Sequence, residues 1–280
     1  MLAALPITLP VVLTELPDVG DHRIAGRATV PAVELLELMV QALAGHEGHP
    51  GQAVFPLAMT DVTFPKFLPL DEIARSVFEV RLERSDTGTR ATLSSRIALA
   101  GGMRRERAHA VVTFASVPTG TLAPPALDCD FTVPAERIYR DLITFGPRYR
   151  NLRGDVQLGH AGASGTVRSP VPPRSPAPLA GCPYLLDAAM HLACVWGQRH
   201  AGIVAYPTGF AARVLSSAAA SGERRCTVAP RSVEPRRLLC DLWLSDEAGT
   251  VCDTIVGLAM SPLGTGAPPP PWITLTKHQP

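Results

Sequence analysis

The sequence predicts an α+β fold in which antiparallel strands wrap around a long helix, and this plan occurs twice. Two helical stretches carry the prediction, at residues 32–44 and 185–196, and each is followed by strand-like segments with turn residues between them. A stretch rich in proline separates the two halves. Because the second helix is apolar on nearly every side, it must be covered by other parts of the chain, and a curved sheet provides that cover.

The first half begins with a β-leaning run at residues 7–16 and a strand at 22–30. Pro31 then opens a helix at the position where proline fits best, and Gly45 ends that helix after Ala44. Turn residues divide the following region into four strand-like segments, at residues 53–64, 76–83, 91–100 and 108–116.

The second half begins with a helical turn at residues 138–142 and a strand at 152–165, and a proline-rich loop leads into the apolar helix. Three further strands follow, at residues 224–233, 238–244 and 251–260. We therefore predict an N-terminal unit at residues 1–118, a linker at 119–134, a C-terminal unit at 135–265 and a loose tail at 266–280.

The charge balance argues against two classes of partner. The chain has 26 basic and 25 acidic residues, so it has no net field to attract nucleic acid or an anionic membrane. Its apolar N-terminal segment contains Pro6, Pro10 and Pro17, which leave it too broken to span a bilayer. The six cysteines form no CxxC pair and no zinc-ligand spacing, so we expect no metal, reduced thiols and a cytoplasmic protein.

The apolar helix carries two polar residues that need an explanation. Asp187 and His191 are four positions apart and therefore lie on one face of the helix. Burial of a carboxylate costs several kcal/mol unless the group is paired, hydrogen-bonded or neutralised. Two interpretations follow: a satisfied polar pair in a core, or a carboxylic acid that is kept protonated for chemistry.

Four motifs then point to a known family. They are His22-x-x-x-Gly26-x-x-x-x-Pro31, Phe145-Gly146-Pro147-Arg148-Tyr149, Cys182-Pro183-Tyr184-Leu185-Leu186-Asp187 and Asp187-x-x-x-His191. In order and placement they resemble the dehydratase domains of modular polyketide synthases, and the resemblance runs from about the N-terminus to Pro262. Those domains are double-hotdog proteins related to fatty-acid 3-hydroxyacyl dehydratases. The resemblance implies two antiparallel sheets, each wrapped around a long central helix.

The resemblance also implies a function in polyketide biosynthesis, a branch of secondary metabolism. The expected reaction removes water from a 3-hydroxyacyl chain on an acyl carrier protein and gives a 2-enoyl thioester. We expect no cofactor beyond the phosphopantetheine that carries the substrate. Partners would be the carrier protein and other synthase components, with a homodimer as a further option.

The chemistry needs a base for a C2 proton and an acid for the departing C3 hydroxyl. A neutral histidine serves as a base at cell pH, and a carboxyl in an apolar helix can be lifted enough to donate a proton. We therefore assign His22 as the base and Asp187 as the acid. His191 is expected to orient Asp187, and to be neutral, because a cationic neighbour would lower the pKa of the acid.

The remaining motif positions are expected to bind substrate. Gly26 would let the backbone approach the substrate, although a simple strand break explains it equally well. Amides at the start of the Pro31 helix, including that of Ala32, would bind the thioester oxygen. The group expected to border the acyl tunnel is Phe145, Gly146 and Pro147. Three arginines are either solvated or contact the carrier protein: Arg148, Arg150 and Arg153.

The chain departs from the family at several positions. Ala32 replaces a glycine, Phe145 a tyrosine and Cys182 a histidine, and a Leu-Pro-Phe-x-Trp stretch survives only in residues 206–210. These changes leave room for an isomerase that shifts a double bond, or for a cyclase that closes a ring by oxa-Michael addition. Both reactions can use the same base and acid. A third hypothesis is an inactive domain that only binds acyl chains.

Overall fold

A computed structural model of the chain shows how these segments are arranged. The residues that it describes are 5–13, 16, 18–52, 57–86, 88–98, 104–115, 123–171, 177–216, 222–264 and 268–274. Parts of several predictions lie outside the described residues: the strand ends at 53–56, 99–100 and 116, the start of the linker at 119–122, the loop at 172–176, and tail residues 266–267 and 275–280.

The N-terminal half contains a long helix and the strands that surround it. Its elements are β1 (Ile7–Val11), β2 (Arg23–Ile24), β3 (Arg27–Val30), α1 (Ala32–His46), β4 (Leu57–Thr63), β5 (Leu68–Pro69), α2 (Leu70–Ile73), β6 (Ser76–Ser85), β7 (Gly88–Ala98) and β8 (Arg104–Ala115). The predicted strand at 22–30 is therefore two short strands joined by a turn, and α1 continues through Gly45.

The C-terminal half repeats the plan with a longer helix. Its elements are β9 (Phe131–Pro134), α3 (Ala135–Asp141), β10 (Leu152–Gly159), β11 (Gly162–Arg168), α4 (Pro183–His200), β12 (Ala205–Leu215), β13 (Glu223–Glu234), β14 (Arg237–Ser245) and β15 (Val251–Pro262). The predicted strand at 152–165 is a hairpin, and β9 lies where the sequence predicts linker.

The two halves share one continuous sheet. Among the described residues, twelve strands are ordered β1-β6-β7-β8-β4-β12-β15-β14-β13-β11-β10-β9. The halves meet where β4 pairs antiparallel with β12, for example with Phe210 opposite Val62. The double-hotdog prediction is confirmed, with the correction that the two predicted sheets are joined edge to edge. Among the described residues, no helix has the length and hydropathy needed to cross a membrane.

Both long helices are held against this sheet and against each other. Helix α1 packs on β1, β6, β7 and β8, while α4 packs on the strands of the C-terminal half. Every residue of α4 from Pro183 to Gln198 is buried, as its apolar sequence predicts. Helices α1 and α4 also contact each other, and residues from the start of α1 and from α4 line one cavity. This contact positions the site described below.

The described part of the tail is anchored, unlike the loose tail that the sequence predicts. The Ile273 side chain is fully buried, and the Arg137 guanidinium lies 3.9 Å from the centre of the Trp272 ring. An isoleucine that loses its exposed surface contributes about 1.5–3 kcal/mol. Residues 268–274 therefore belong to the packed C-terminal half. The other unit boundaries, at residues 118 and 134, stay predictions.

Candidate active site

A cavity of about 210 Å³ opens between the start of α1 and the middle of α4. Most of its lining is apolar, and three buried polar side chains converge in it: His22, Asp187 and His191. An apolar pocket with a few convergent polar groups is the usual form of a small-molecule site. The structure thus brings together the three residues that the sequence assigns to catalysis and orientation, although they lie up to 169 positions apart (191 − 22).

The backbone around His22 fixes the orientation of its ring. His22 follows a 3₁₀ turn at Val19–Asp21, and its carbonyl accepts a hydrogen bond from the Thr29 N–H at 2.9 Å. Its Nδ1 lies 2.8 Å from the Thr29 carbonyl oxygen. Since a carbonyl can only accept, Nδ1 must carry the hydrogen, and in the neutral ring the free lone pair is on Nε2. Burial lowers the pKa of His22, and the attraction of Asp187 opposes this only in part.

Asp187 projects from α4 toward this lone pair. Its Oδ1 lies 3.9 Å from His22 Nε2, and both side chains are buried. Burial raises the pKa of Asp187, but the close approach of the His191 and His22 rings favours the carboxylate more strongly and holds the pKa below its usual range. The expectation that burial alone keeps this acid protonated is therefore corrected: the two imidazoles decide its charge.

His191 lies one turn further along α4, as the spacing predicts. Its Nε2 is 2.9 Å from Asp187 Oδ2, although the two groups are not aligned well enough for a well-formed hydrogen bond. On the other side of the ring, Nδ1 lies 3.2 Å from the hydroxyl oxygen of Tyr139. His191 therefore stands between Asp187 and a buried tyrosine.

Only two of the six predicted substrate-contacting residues line the cavity: Ala32 and Phe145. The other four are Gly26, Pro31, Gly146 and Pro147. Gly26 has φ of 80° and follows Ala25 at 49°, so the pair forms the turn between β2 and β3. A Cβ on Gly26 would meet no atom of the chain within 4 Å, so the positive φ of the turn accounts for this glycine, and its approach to substrate stays a prediction. Pro31 is the N-cap of α1.

Phe145 occupies the space between the two histidines. Its ring centre lies 4.5 Å from that of His22 and 5.1 Å from that of His191. The neighbouring Gly146 is required by packing, because a Cβ there would lie 2.2 Å from Asp21 Oδ1. Its N–H donates to the Asp21 carbonyl at 2.7 Å. Gly146 and Pro147 therefore hold Phe145 in the cavity wall without lining it themselves.

The three arginines near this turn make contacts within the protein. The Arg148 guanidinium donates to Asp18 Oδ2 at 2.7 Å, and its backbone N–H donates to Asp21 Oδ2 at 3.0 Å. Arg150 donates to the Phe145 carbonyl at 2.6 Å, and Arg153 donates to the Arg150 carbonyl at 2.6 Å. The Arg148 contacts fasten the Phe145 turn to the His22 turn, whereas these contacts of Arg150 and Arg153 lie within the C-terminal half. The structure therefore gives Arg148 a role in joining the halves, which the sequence did not suggest.

Glu37 and Arg213 position the start of α4. The Glu37 carboxylate accepts hydrogen bonds from the N–H groups of Leu179 and Ala180, at 2.9 and 2.6 Å. Arg213 donates to the Ala180 carbonyl at 2.8 Å and pairs with buried Asp253. Sequence reasoning assigned no role to either residue. A buried carboxylate on an apolar helix was the available signal for Glu37, whereas Arg213 lies on a strand that was not predicted.

Exposed cationic and aromatic groups surround the mouth of the cavity. Arg23 and Lys66 are exposed and contribute to its lining. The rings of Phe67 and Tyr206 pack there with their centres 4.7 Å apart. Within the described part of the chain, no three histidine, cysteine or acidic side chains are grouped so that they could hold a metal ion.

Comparison with known proteins gives a consistent family. Residues 123–270 match the family described as polyketide synthase dehydratase N-terminal domain, and no curated protein matches the chain. The dehydratase domain from the CurJ module of curacin polyketide synthase is 17% identical, with a TM-score of 0.71 and coverage of 91% of this chain and 90% of that one.

Two further solved structures agree with this match. The dehydratase domain of RzxB from Pseudomonas fluorescens is 18% identical, with a TM-score of 0.72 and coverage of 91% and 94%. An isomerase-inactive variant of GphF DH1 is 24% identical, with a TM-score of 0.66 and coverage of 94% and 93%. At these identities the solved structures establish the double-hotdog fold of this chain.

Proposed function

Because the chain belongs to the polyketide synthase dehydratase family, we propose that it removes water from a 3-hydroxyacyl chain on an acyl carrier protein. The product is a 2-enoyl thioester. The observation that carries the proposal is the 3.9 Å separation of His22 Nε2 and Asp187 Oδ1 in an apolar cavity. Both groups can therefore reach neighbouring carbons of one acyl chain.

His22 is the proposed base. The hydrogen bond from Nδ1 to Thr29 leaves the Nε2 lone pair facing the cavity, so Nε2 removes a proton from C2. The electron pair of the C2–H bond becomes the C2–C3 double bond, and the C3–O bond breaks. Because the pKa of His22 is lowered from its ordinary value of 6.5, the ring is neutral at neutral pH and can accept a proton.

Asp187 is the proposed acid. Its protonated carboxyl donates to the departing hydroxyl, which leaves as water, so the reaction ends with an imidazolium beside a carboxylate. In that state the positive charge on His22 lowers the pKa of Asp187, and attraction across 3.9 Å holds the ion pair. One proton transfer from His22 to Asp187, directly or through a water, restores the starting state.

The start of α1 is the proposed site for the thioester oxygen. Ala32 is the first residue of α1 and lines the cavity. The first amides of a helix lack partners inside the helix and favour negative charge, which develops on this oxygen when C2 loses its proton. The alanine that replaces the family's glycine keeps this amide and adds a methyl group to the cavity wall.

The mouth of the cavity is the proposed entry for the phosphopantetheine arm. Arg23 and Lys66 are exposed there and place positive charge where the arm, with its phosphate, approaches. No step of the proposed reaction uses a metal or a nucleotide. Other synthase components and a homodimer remain proposed partners, and a cytoplasmic location stays part of the proposal.

The test is a direct assay of dehydration. The protein is incubated with a 3-hydroxyacyl carrier protein and, in parallel, with the corresponding pantetheine thioester. The masses of the products are then measured by mass spectrometry. The proposal predicts loss of the mass of one water and a new 2-enoyl absorbance with both substrates. Substrates of several chain lengths that bind and remain unchanged would contradict it.

A second candidate is a double-bond isomerase or an oxa-Michael cyclase. The observation in its favour is Phe145, which packs against both histidines and supplies no hydroxyl where the family has a tyrosine. Such a reaction leaves the mass of an unsaturated acyl substrate unchanged, so the same assay separates it from dehydration. The short distance between His22 and Asp187 counts against a domain that only binds acyl chains.

A further inference from the structure

Tyr139 makes three polar contacts in a fully enclosed place behind the cavity. It lies on α3, is 4% exposed and does not line the cavity. Its hydroxyl oxygen is 2.9 Å from the backbone nitrogen of Asn151 and 2.8 Å from that of Leu152. The third contact is with His191 Nδ1, at 3.2 Å.

The direction of each hydrogen bond follows from what each group can donate. A backbone N–H can only donate, so Asn151 and Leu152 occupy both acceptor positions of the phenol oxygen. The phenol hydrogen is then available for donation, and the third polar atom that contacts this oxygen is His191 Nδ1. Burial raises the pKa of Tyr139, so the phenol keeps that hydrogen. His191 Nδ1 must therefore accept.

We propose that Tyr139 is a positioning residue that locks His191 in its neutral form, with the ring hydrogen on Nε2 facing Asp187. A cationic His191 would place an N–H at Nδ1 against an oxygen that already accepts two hydrogen bonds. The phenol therefore disfavours the imidazolium. This inference concerns the site of the proposed dehydration and rests on that function for its catalytic meaning.

The neutral form of His191 has a consequence for Asp187, the proposed acid. A neutral His191 offers Asp187 a hydrogen bond without adding a full positive charge beside it. The charge attraction that lowers the pKa of Asp187 is then limited to that of His22, which is absent when His22 is neutral, so burial, which raises this pKa, is opposed only by the hydrogen-bonding contact with His191. Asp187 can thus hold a proton in the state of the cycle in which His22 acts as base. Tyr139 preserves the acid without touching the substrate.

The first test measures the state of His191 in the free protein. Protein labelled with ¹⁵N in histidine gives ring nitrogen shifts that distinguish the two neutral tautomers and the imidazolium, with His191→Gln used for assignment. We expect the neutral His191 ring to carry its hydrogen on Nε2. Hydrogen on Nδ1, or an imidazolium near pH 7, would overturn the proposal. This measurement needs no substrate, so its result is independent of the proposed reaction.

The second test removes the phenol hydroxyl with Tyr139→Phe. We expect His191 to populate both neutral tautomers. If the chain is a dehydratase, kcat should fall about 10- to 100-fold, by analogy with the loss of a hydrogen-bond partner behind a metal-bound histidine, with KM little changed. The pH profile of kcat should shift relative to the parent protein, because a charge on His191 makes Asp187 lose its proton more easily.

Tyr184→Phe is the matched control. It removes another buried phenol hydroxyl, on the same helix as His191, which donates to Asp18 Oδ2 at 3.3 Å rather than to His191 Nδ1. The His191 signals should be the same in this variant as in the parent protein. An unchanged tautomer and an unshifted pH profile in Tyr139→Phe would reduce Tyr139 to a partner of two amides and refute the proposal.

Discussion

Replacement of Glu37 by glutamine should loosen the start of α4 and lower the stability of the whole chain. The carboxylate is buried on α1 and accepts three hydrogen bonds: from Leu179 N at 2.9 Å, from Ala180 N at 2.6 Å and from Gln41 Nε2 at 2.7 Å. Glutamine keeps the size of the side chain but has one acceptor oxygen. Its amide NH₂ would then face at least one N–H donor of the loop.

The expected magnitude follows from these contacts. A buried N–H without a partner costs about 1–3 kcal/mol, and loss of the negative charge weakens each remaining hydrogen bond by roughly 1 kcal/mol. We expect the free energy of unfolding to fall by about 2–4 kcal/mol in Glu37→Gln. Urea denaturation followed by circular dichroism measures this change, with the slope against urea concentration used to check two-state behaviour.

Glu136→Gln is the control, since Glu136 is an exposed glutamate on α3. Its stability should differ from that of the parent chain by less than about 0.5 kcal/mol. Activity of Glu37→Gln should fall as well, because the loop that it holds leads directly into the helix of Asp187. A Glu37→Gln protein as stable as the control would show that the hydrogen bonds of the Glu37 carboxylate contribute nothing to stability and would refute this reasoning.

Three further predictions concern other groups. Arg213→Met should lower the free energy of unfolding by about 3–5 kcal/mol, because Asp253 would remain buried without its partner; adding Asp253→Asn should restore part of the loss in urea denaturation. Burial lowers the pKa of His22 and of His109 below 6.5, so the free energy of unfolding should be highest above pH 6.5, where both are neutral, and should decrease as the pH falls. Urea denaturation at pH 7.5 and at pH 5.5 measures this decrease in the free energy of unfolding. An equal decrease in His109→Gln would exclude His109 as a cause. Lys66→Glu should raise KM about tenfold at low salt for a carrier-linked substrate and leave KM unchanged for a pantetheine thioester without phosphate; equal effects on both substrates would exclude the proposed charge contact.

The sequence predicts the two long helices well because burial leaves a plain pattern in them. Helix α4 is apolar on all sides, and its observed range, Pro183–His200, extends the predicted one by a few residues at each end. Strand β12 was missed, although it is where the halves join. Its Pro207 and Gly209 interrupt the alternation typical of strands, and the pairing with β15 is irregular between these residues. Tertiary pairing outweighs this local signal.

The site could be predicted in part, for a different reason. The motif order places His22 and Asp187 on elements that converge, and the structure has them 3.9 Å apart. The roles of Gly26 and Gly146 needed coordinates, since one glycine allows a turn and the other avoids a clash. Tyr139 carries no signal in the sequence, because its hydroxyl finds partners 12, 13 and 52 positions away.

The central claim is that His22 and Asp187 act together as base and acid on one acyl chain. The most direct test compares dehydration rates of the parent protein, His22→Ala, Asp187→Asn and the double variant on one 3-hydroxyacyl thioester. Each single change should lower kcat by about 10²- to 10⁴-fold, and the double variant should be little slower than the worse single one, because the two residues act as a unit. Turnover retained in either single variant would contradict the account.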